Sequence, residues 1–206
     1  MRRLVIDTAT EACSVALFED GSLIGHYHDV VGRGHAERVL PIIAALPDGG
    51  RAHEIWVDCG PGSFTGVRIG IAAANGLGLA WKARVKGYLS HSLVDVGAGA
   101  ESAKWLRQER AIVMEGGHGE WFVQLVSPTE RSELRSLQPD EALSWVGNRP
   151  VAGSRADELN VMRRGGDAIS MLPDARYAQY LEASEILDDA KPTYGRGADA
   201  KKLADR

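Results

Sequence analysis

Between an apolar run at residues 55–59 and a long stretch of small residues lies Gly60-Pro61-Gly62-Ser63-Phe64-Thr65-Gly66-Val67-Arg68-Ile69-Gly70. A buried strand that breaks at a glycine-rich turn and runs straight into a helix commits this part of the chain to an α/β arrangement. The unpaired N–H groups at that helix start, together with its dipole, suit an anion. The same turn also reads as a tight connection capped by Ser63 or Thr65. It is not a P-loop, because the Gly-Lys-Ser/Thr that would hold phosphate and magnesium is missing. The helix it opens, expected over residues 65–81, carries Gly66, Gly70, Gly76 and Gly78, each costing about 1 kcal/mol relative to alanine. With Ala72, Ala73 and Ala74 these glycines leave a smooth face, which serves either the lobe's own sheet or a helix of another subunit.

The hydrophobic pattern extends this frame in both directions. Residues 4–7 and 13–18 are short apolar runs on either side of Thr8-Ala9-Thr10-Glu11 and predict a β-hairpin, while Asp20-Gly21 suits the positive φ of a tight turn into residues 23–31. Val39, Leu40, Ile42, Ile43 and Leu46 recur at helical spacing over residues 35–46, with Pro41 expected to kink that helix because it lacks an N–H. With a strand at 84–88, the first half reads βββαβα plus one strand. The second half repeats that order more faintly: strands at 111–114, 121–126 and 131–137, a helix from Pro139, a strand at 151–152 and a helical stretch at 177–187. The chain therefore divides into an N-terminal lobe, 1–98, and a smaller C-terminal lobe, 99–206, whose final segment packs back on the first. The boundary is expected at 97–104, where Gly97, Gly99 and Ser102 loosen the pattern.

A chain of 206 residues that is 44% hydrophobic and 25% charged can bury a core in each lobe. Its net charge of -4 argues against a nucleic-acid footprint as the main surface, so a grip on RNA would come from a partner. Cys13 and Cys59 lie in apolar runs with no CxxC, which points to reduced, buried thiols. Asp7 interrupts the start before a signal-peptide core could form, and no stretch approaches the roughly 20 apolar residues of a membrane span. A cytoplasmic protein without membrane attachment is expected. Lys201, Lys202 and Arg206 form a modest basic tail, read as solvated.

Few residues point to chemistry. The six histidines form no metal-binding pattern, and His91 with Asp95 reads as a solvated or capping pair on one helix face. Asp7, Thr8 and Thr10 place a carboxylate and two hydroxyls in a turn where a phosphate or metal-bound water could sit, or where they merely satisfy the turn. Ser63 lacks the Gly-x-Ser-x-Gly spacing of a nucleophile elbow. Neither a catalytic residue nor a metal is assigned.

Three stretches taken together, Ile6-Asp7-Thr8-Ala9-Thr10-Glu11-Ala12-Cys13-Ser14-Val15-Ala16-Leu17, His35-Ala36-Glu37-Arg38-Val39-Leu40-Pro41 and the glycine-rich segment, resemble the TsaB (YeaZ) family. The match is strong over the N-terminal lobe. Later in the chain Gly119-Glu120 and Lys191-Pro192-Thr193-Tyr194 anchor it, and Glu115-Gly116-Gly117-His118 stands where the family usually has Asp-Ala-Arg. The resemblance implies the duplicated, RNase H-like lobes of the actin/Hsp70/sugar-kinase group and a part in making N6-threonylcarbamoyladenosine beside the anticodon of tRNA. It implies a non-catalytic subunit that stabilises a TsaD-like catalytic partner, which would carry His-x-x-x-His where this chain has only His91. A TsaE-like ATPase is the expected third component, with ATP used by the complex and tRNA reached through it.

On the same resemblance, the partner-binding residues are His35, Val39, Leu40 and Ile43 from the first helix and Gly66, Ile69, Gly70, Ala73 and Leu77 from the second. Left uncovered, that face would close a homodimer. Asp7, Thr8, Thr10, Gly62 and Ser63 would be a vestigial nucleotide site. The rival reading is an ATP-dependent phosphotransferase of the same fold, using Asp7 and the 60–66 turn.

Overall fold

The computed structural model describes residues 1–195, so the basic tail at Lys201, Lys202 and Arg206 lies outside the described residues. β1 (Arg2–Asp7) and β2 (Ala12–Glu19) pair antiparallel from Arg2↔Glu19 to Asp7↔Ser14. β3 (Ser22–Val30) follows through a turn in which Asp20 and Gly21 both take positive φ. α1 (His35–Ala45) then crosses to β4 (Glu54–Asp58), and α2 (Phe64–Trp81) to β5 (Arg84–Tyr88). β4 and β5 add in parallel, giving the order β3-β2-β1-β4-β5.

This plan recurs. β6 (Arg110–Gly117), β7 (Glu120–Val126) and β8 (Arg135–Leu137) form an antiparallel meander; α4 (Pro139–Val146) leads to β9 (Val151–Gly153), and α5 (Ala156–Met162) to β10 (Ala168–Ser170). The second sheet is ordered β10-β9-β6-β7-β8, the first sheet's connectivity read from the opposite edge. The duplicated βββαβα pattern read from the sequence is therefore present in both lobes.

Each sheet is covered on both faces, which is why its central strands read as unbroken apolar runs. Along β1, Leu4 and Ile6 face a core closed by Val39 and Ile43 of α1 and Val67 and Ile71 of α2. Val5 faces the other way, onto Tyr88, Leu93 and Tyr177. α3 (Ser90–Glu101) lies between the sheets, with Leu93 and Val96 in the first lobe's core and Val94 and Ala98 in the second's.

Three expectations need correction. The boundary at 97–104 is not a loosened linker, because α3 continues to Glu101. A side chain at Gly97 would meet Met171 and Tyr177, and one at Gly99 would meet Leu106, so these glycines permit close packing. The helical stretch at 177–187 consists of two 3-10 turns, Ala175–Tyr180 and Ala183–Glu185. The strand at 131–137 shortens to β8 plus a single bridge between Val126 and Arg131. α5 and β10 carry too few apolar repeats to be read from the sequence. After β10 the chain returns to the first lobe, where Leu187 pairs with Gly87 and Thr193 N donates to Cys59 O at 2.7 Å.

Candidate functional site

The hairpin turn after β1 and the glycine-rich turn after β4 are stitched together. Ser63 N donates to Ala9 O at 2.6 Å, and Thr8 Oγ1 donates to Gly66 O at 2.7 Å. Ser63 Oγ caps α2 by accepting from Gly66 N at 3.2 Å. A Cβ on Gly62 or Gly66 would drive into the carbonyls of Ala9 and Thr8, so only glycine lets these backbones approach. The Gly60–Pro61 peptide is cis.

The five residues read as a vestigial nucleotide site separate into two groups. Thr10, Gly62 and Ser63 line a cleft of about 1140 Å³ between the lobes, opposite Gly116, Gly117 and His118 of the second lobe's corresponding turn. Asp7 and Thr8 do not reach it: both are buried beneath the turn. Asp7 accepts from Ala9 N at 3.2 Å and from Tyr88 Oη at 3.3 Å. Asp58, which ends β4 and was passed over as one residue of an apolar strand, lies beside Asp7; it accepts from Gly60 N at 2.6 Å and from Ser90 Oγ at 2.8 Å. At the cleft mouth Arg68 stacks 3.4 Å from the Phe64 ring centroid and donates to Tyr194 Oη at 2.7 Å. Phe64 and Tyr194 also stack on each other.

The solvated reading of His91 and Asp95 is overturned, since both are buried. His91 Nε2 is 3.3 Å from the Phe122 carbonyl, and burial pushes the ring's pKa down to about 4, so it stays neutral. Asp95 binds Arg110 through two nitrogens at 2.6 and 2.8 Å, Trp105 Nε1 at 2.8 Å and Arg131 at 2.9 Å. These partners come from distant chain positions, and no local spacing announces them. Among the described residues no group of three or more His, Cys, Asp or Glu could hold a metal ion, and no helix is long and apolar enough to cross a membrane.

The α1–α2 residues named as partner-binding also divide. Val39 and Ile43 belong to the core, and buried His35 places Nε2 3.1 Å from Ala12 O. Gly66 and Gly70 face inward as well, where a Cβ on Gly70 would lie 2.5 Å from Thr8 Oγ1. These five therefore cannot line a surface. Leu40 is 48% exposed, and Ile69, Ala73 and Leu77 are partly exposed at the edge of the core. Outermost on α2 lie Ala72, Asn75, Gly76 and Leu79, with Leu79 85% exposed and open space around Gly76. Leu79 was missed because the apolar character of α2 runs all around the helix and hides which side faces out.

A family profile for TsaD, tRNA N6-adenosine threonylcarbamoyltransferase, matches residues 25–125. The tRNA threonylcarbamoyladenosine biosynthesis protein TsaB of Escherichia coli K12 is 49% identical over 84 residues, 38% of this chain and 36% of that protein. TsaB of Haemophilus influenzae is 43% identical over 79 residues, 36% and 33% of the two chains. The chain thus spans about a third of the length of the curated relatives it matches. YeaZ from Pseudomonas aeruginosa superposes with a TM-score of 0.74 at 26% identity, covering 94% of this chain and 99% of that one. EutJ from Carboxydothermus hydrogenoformans, at 9% identity, TM-score 0.50 and coverage of 84% and 86%, shares the fold alone. Two duplicated lobes around a cleft define a protein of the actin/sugar-kinase-like fold. Within that class, the chain is similar to the TsaB proteins over somewhat more than a third of its length and to YeaZ over 94% of it.

Proposed function

We propose that the chain is a non-catalytic subunit of the complex that forms N6-threonylcarbamoyladenosine next to the anticodon of tRNA, and that it acts by docking on a TsaD-like catalytic subunit. The observation that carries this reading is the outward side of α2, where Ala72, Gly76 and Leu79 leave a small, largely apolar surface broken by Asn75, with exposed Leu40 on the neighbouring helix α1. Exposing such a face to water is unfavourable, and a helix of small residues accepts another helix at close range. The fate of the ionisable groups supports a non-catalytic role, since Asp7, Asp58, His91 and Asp95 are all enclosed and committed to internal bonds. A TsaE-like ATPase would supply the third component and ATP turnover, tRNA would be reached through the complex, and the free chain would pair with itself through the same face. The complex would work in the cytoplasm.

The test is a Leu79→Asp substitution. Burying an aspartate carboxylate in a helix contact weakens binding by roughly a hundredfold, the equivalent of about 3 kcal/mol, while the exposed position leaves the fold intact. Titration with a TsaD-like subunit and sedimentation of the free chain should both show the loss. A folded variant that binds the catalytic subunit unchanged refutes this docking face.

A further inference from the structure

β1 and β4 run parallel with Ile6 beside Val57, so their last residues, Asp7 and Asp58, end in one row. Both carboxyls are sealed, at 0% and 1% exposure. Among the described residues neither forms an ion pair with Lys, Arg or His; the titratable side chains around them are Tyr88 of β5, Cys13 of β2 and Cys59 just past β4. Asp58 Oδ1 takes two donors, Gly60 N and Ser90 Oγ, but Asp58 Oδ2 has none. Asp7 spends its oxygens on Ala9 N and Tyr88 Oη. Two adjacent carboxylates without a cation cannot both stay charged in a low-dielectric interior. One proton between them turns that repulsion into a hydrogen bond and gives Asp58 Oδ2 its missing partner.

We infer that Asp7 and Asp58 share a proton at neutral pH, and that this proton is a structural part of the fold, joining the turn after β1 to the glycine-rich turn that launches α2. The pair lies at the centre of that junction. Through Gly60 and Ser90 it sets the course of the turn and the start of α3; through Ala9 it holds the hairpin to which Ser63 is bonded. This inference is independent of the docking role. Burial first, then the neighbouring carboxyl, pushes Asp7 well above its ordinary value, and burial raises Asp58. The pair titrates as a unit. In the unfolded chain both acids lose their protons near the ordinary aspartate value of 3.8. The folded chain keeps one proton to a much higher pH, so the pair's stabilisation is full below the unfolded value and is lost as pH rises towards the folded one.

The experiment follows aspartate carboxyl carbons by NMR through a pH titration of the wild-type chain, alongside denaturant unfolding of the wild type and Asp58→Asn. The asparagine keeps an oxygen for Gly60 and Ser90 and offers its NH₂ to Asp7, so it replaces the proton with a permanent donor. One wild-type aspartate should remain protonated at neutral pH. Relative to the variant, the wild-type folding constant should fall roughly tenfold per pH unit across the window between unfolded and folded titration. Parallel stability curves for the two proteins overturn the inference. If Asp58→Asn fails to fold, the wild-type titration decides alone: two aspartates both titrating in the ordinary range reject the shared proton.

Discussion

Gly70 and Gly76 lie on one helix and have opposite duties. A Cβ at Gly70 would press on Thr8 Oγ1 and, at 3.3 Å, on Val57 Cγ2, whereas one at Gly76 would meet nothing within 4 Å. Gly70→Leu should therefore overpack the contact between α2 and the sheet and lower stability by ~3 kcal/mol or more. Gly76→Leu should raise stability by about 0.8 kcal/mol through helix propensity alone, while weakening any helix that docks against it. Thermal unfolding of the two variants separates these outcomes; similar destabilisation by both would mean that α2 is oriented differently. The sequence shows that something must offset these glycines but not which side of α2 each one faces, because small residues occur all around the helix. The resemblance placed Gly66 and Gly70 on a surface, and this pattern offered nothing against it. For the cleft, Thr10, Gly62 and Ser63 were legible from turn chemistry, but Asp58 was not. A single carboxylate closing an apolar strand gains meaning only when strand register sets it beside Asp7.

Strands and amphipathic helices were readable at the scale of elements because each buries one side or a whole apolar run. α3 was not. From Ser90 to Ala98 every residue is buried, since the helix packs on both lobes, and burial all round erases the periodic contrast that marks a surface helix. The segment after β10 was read as helical from its apolar residues, yet it is held by side chains. Asp174 accepts from His26 Nε2 at 2.7 Å, from Arg176 Nε at 3.0 Å and from Arg176 N at 3.0 Å, and lies 3.8 Å from His28 Nδ1. Burial alone would raise its carboxyl, but the His26 bond and the Arg176 amide outweigh it and hold Asp174 below the usual range. Burial lowers His28, which favours its neutral form. The signs agree: the His28 share of stability declines as pH falls below the ordinary histidine value, and the Asp174 share goes only as pH drops through its depressed value. Asp174→Asn removes the charge from these bonds and should cost about 2 kcal/mol. Limited proteolysis should then cut near residues 171–181 sooner than in the wild type. Unchanged cleavage would show that apolar contacts alone hold the segment.

The whole molecule depends on contacts that bridge lobes, and one buried carboxylate gathers several of the charged ones. Asp95 on α3 binds Arg110 at the start of β6 and Arg131 beyond β7, and Arg131 reaches on to Glu185 in the segment that returns to the first lobe. Trp105 adds its indole N–H to the same carboxylate. Arg110 is 5% exposed at its side chain, so no water can replace its partner. Asp95→Ala should therefore leave a buried, uncompensated guanidinium and cost about 3–5 kcal/mol, a large share of a typical domain's stability. Arg131→Ala removes a more exposed partner of the same carboxylate while Arg110 and Trp105 remain bonded, and should cost only about 1 kcal/mol. The two effects should not add, because once Asp95 is gone Arg131 keeps only its contact with Glu185. Chemical denaturation of both single variants and the double variant measures this coupling. Equal losses from the two single substitutions would place the link between the lobes in the apolar packing of α3 and not in this carboxylate.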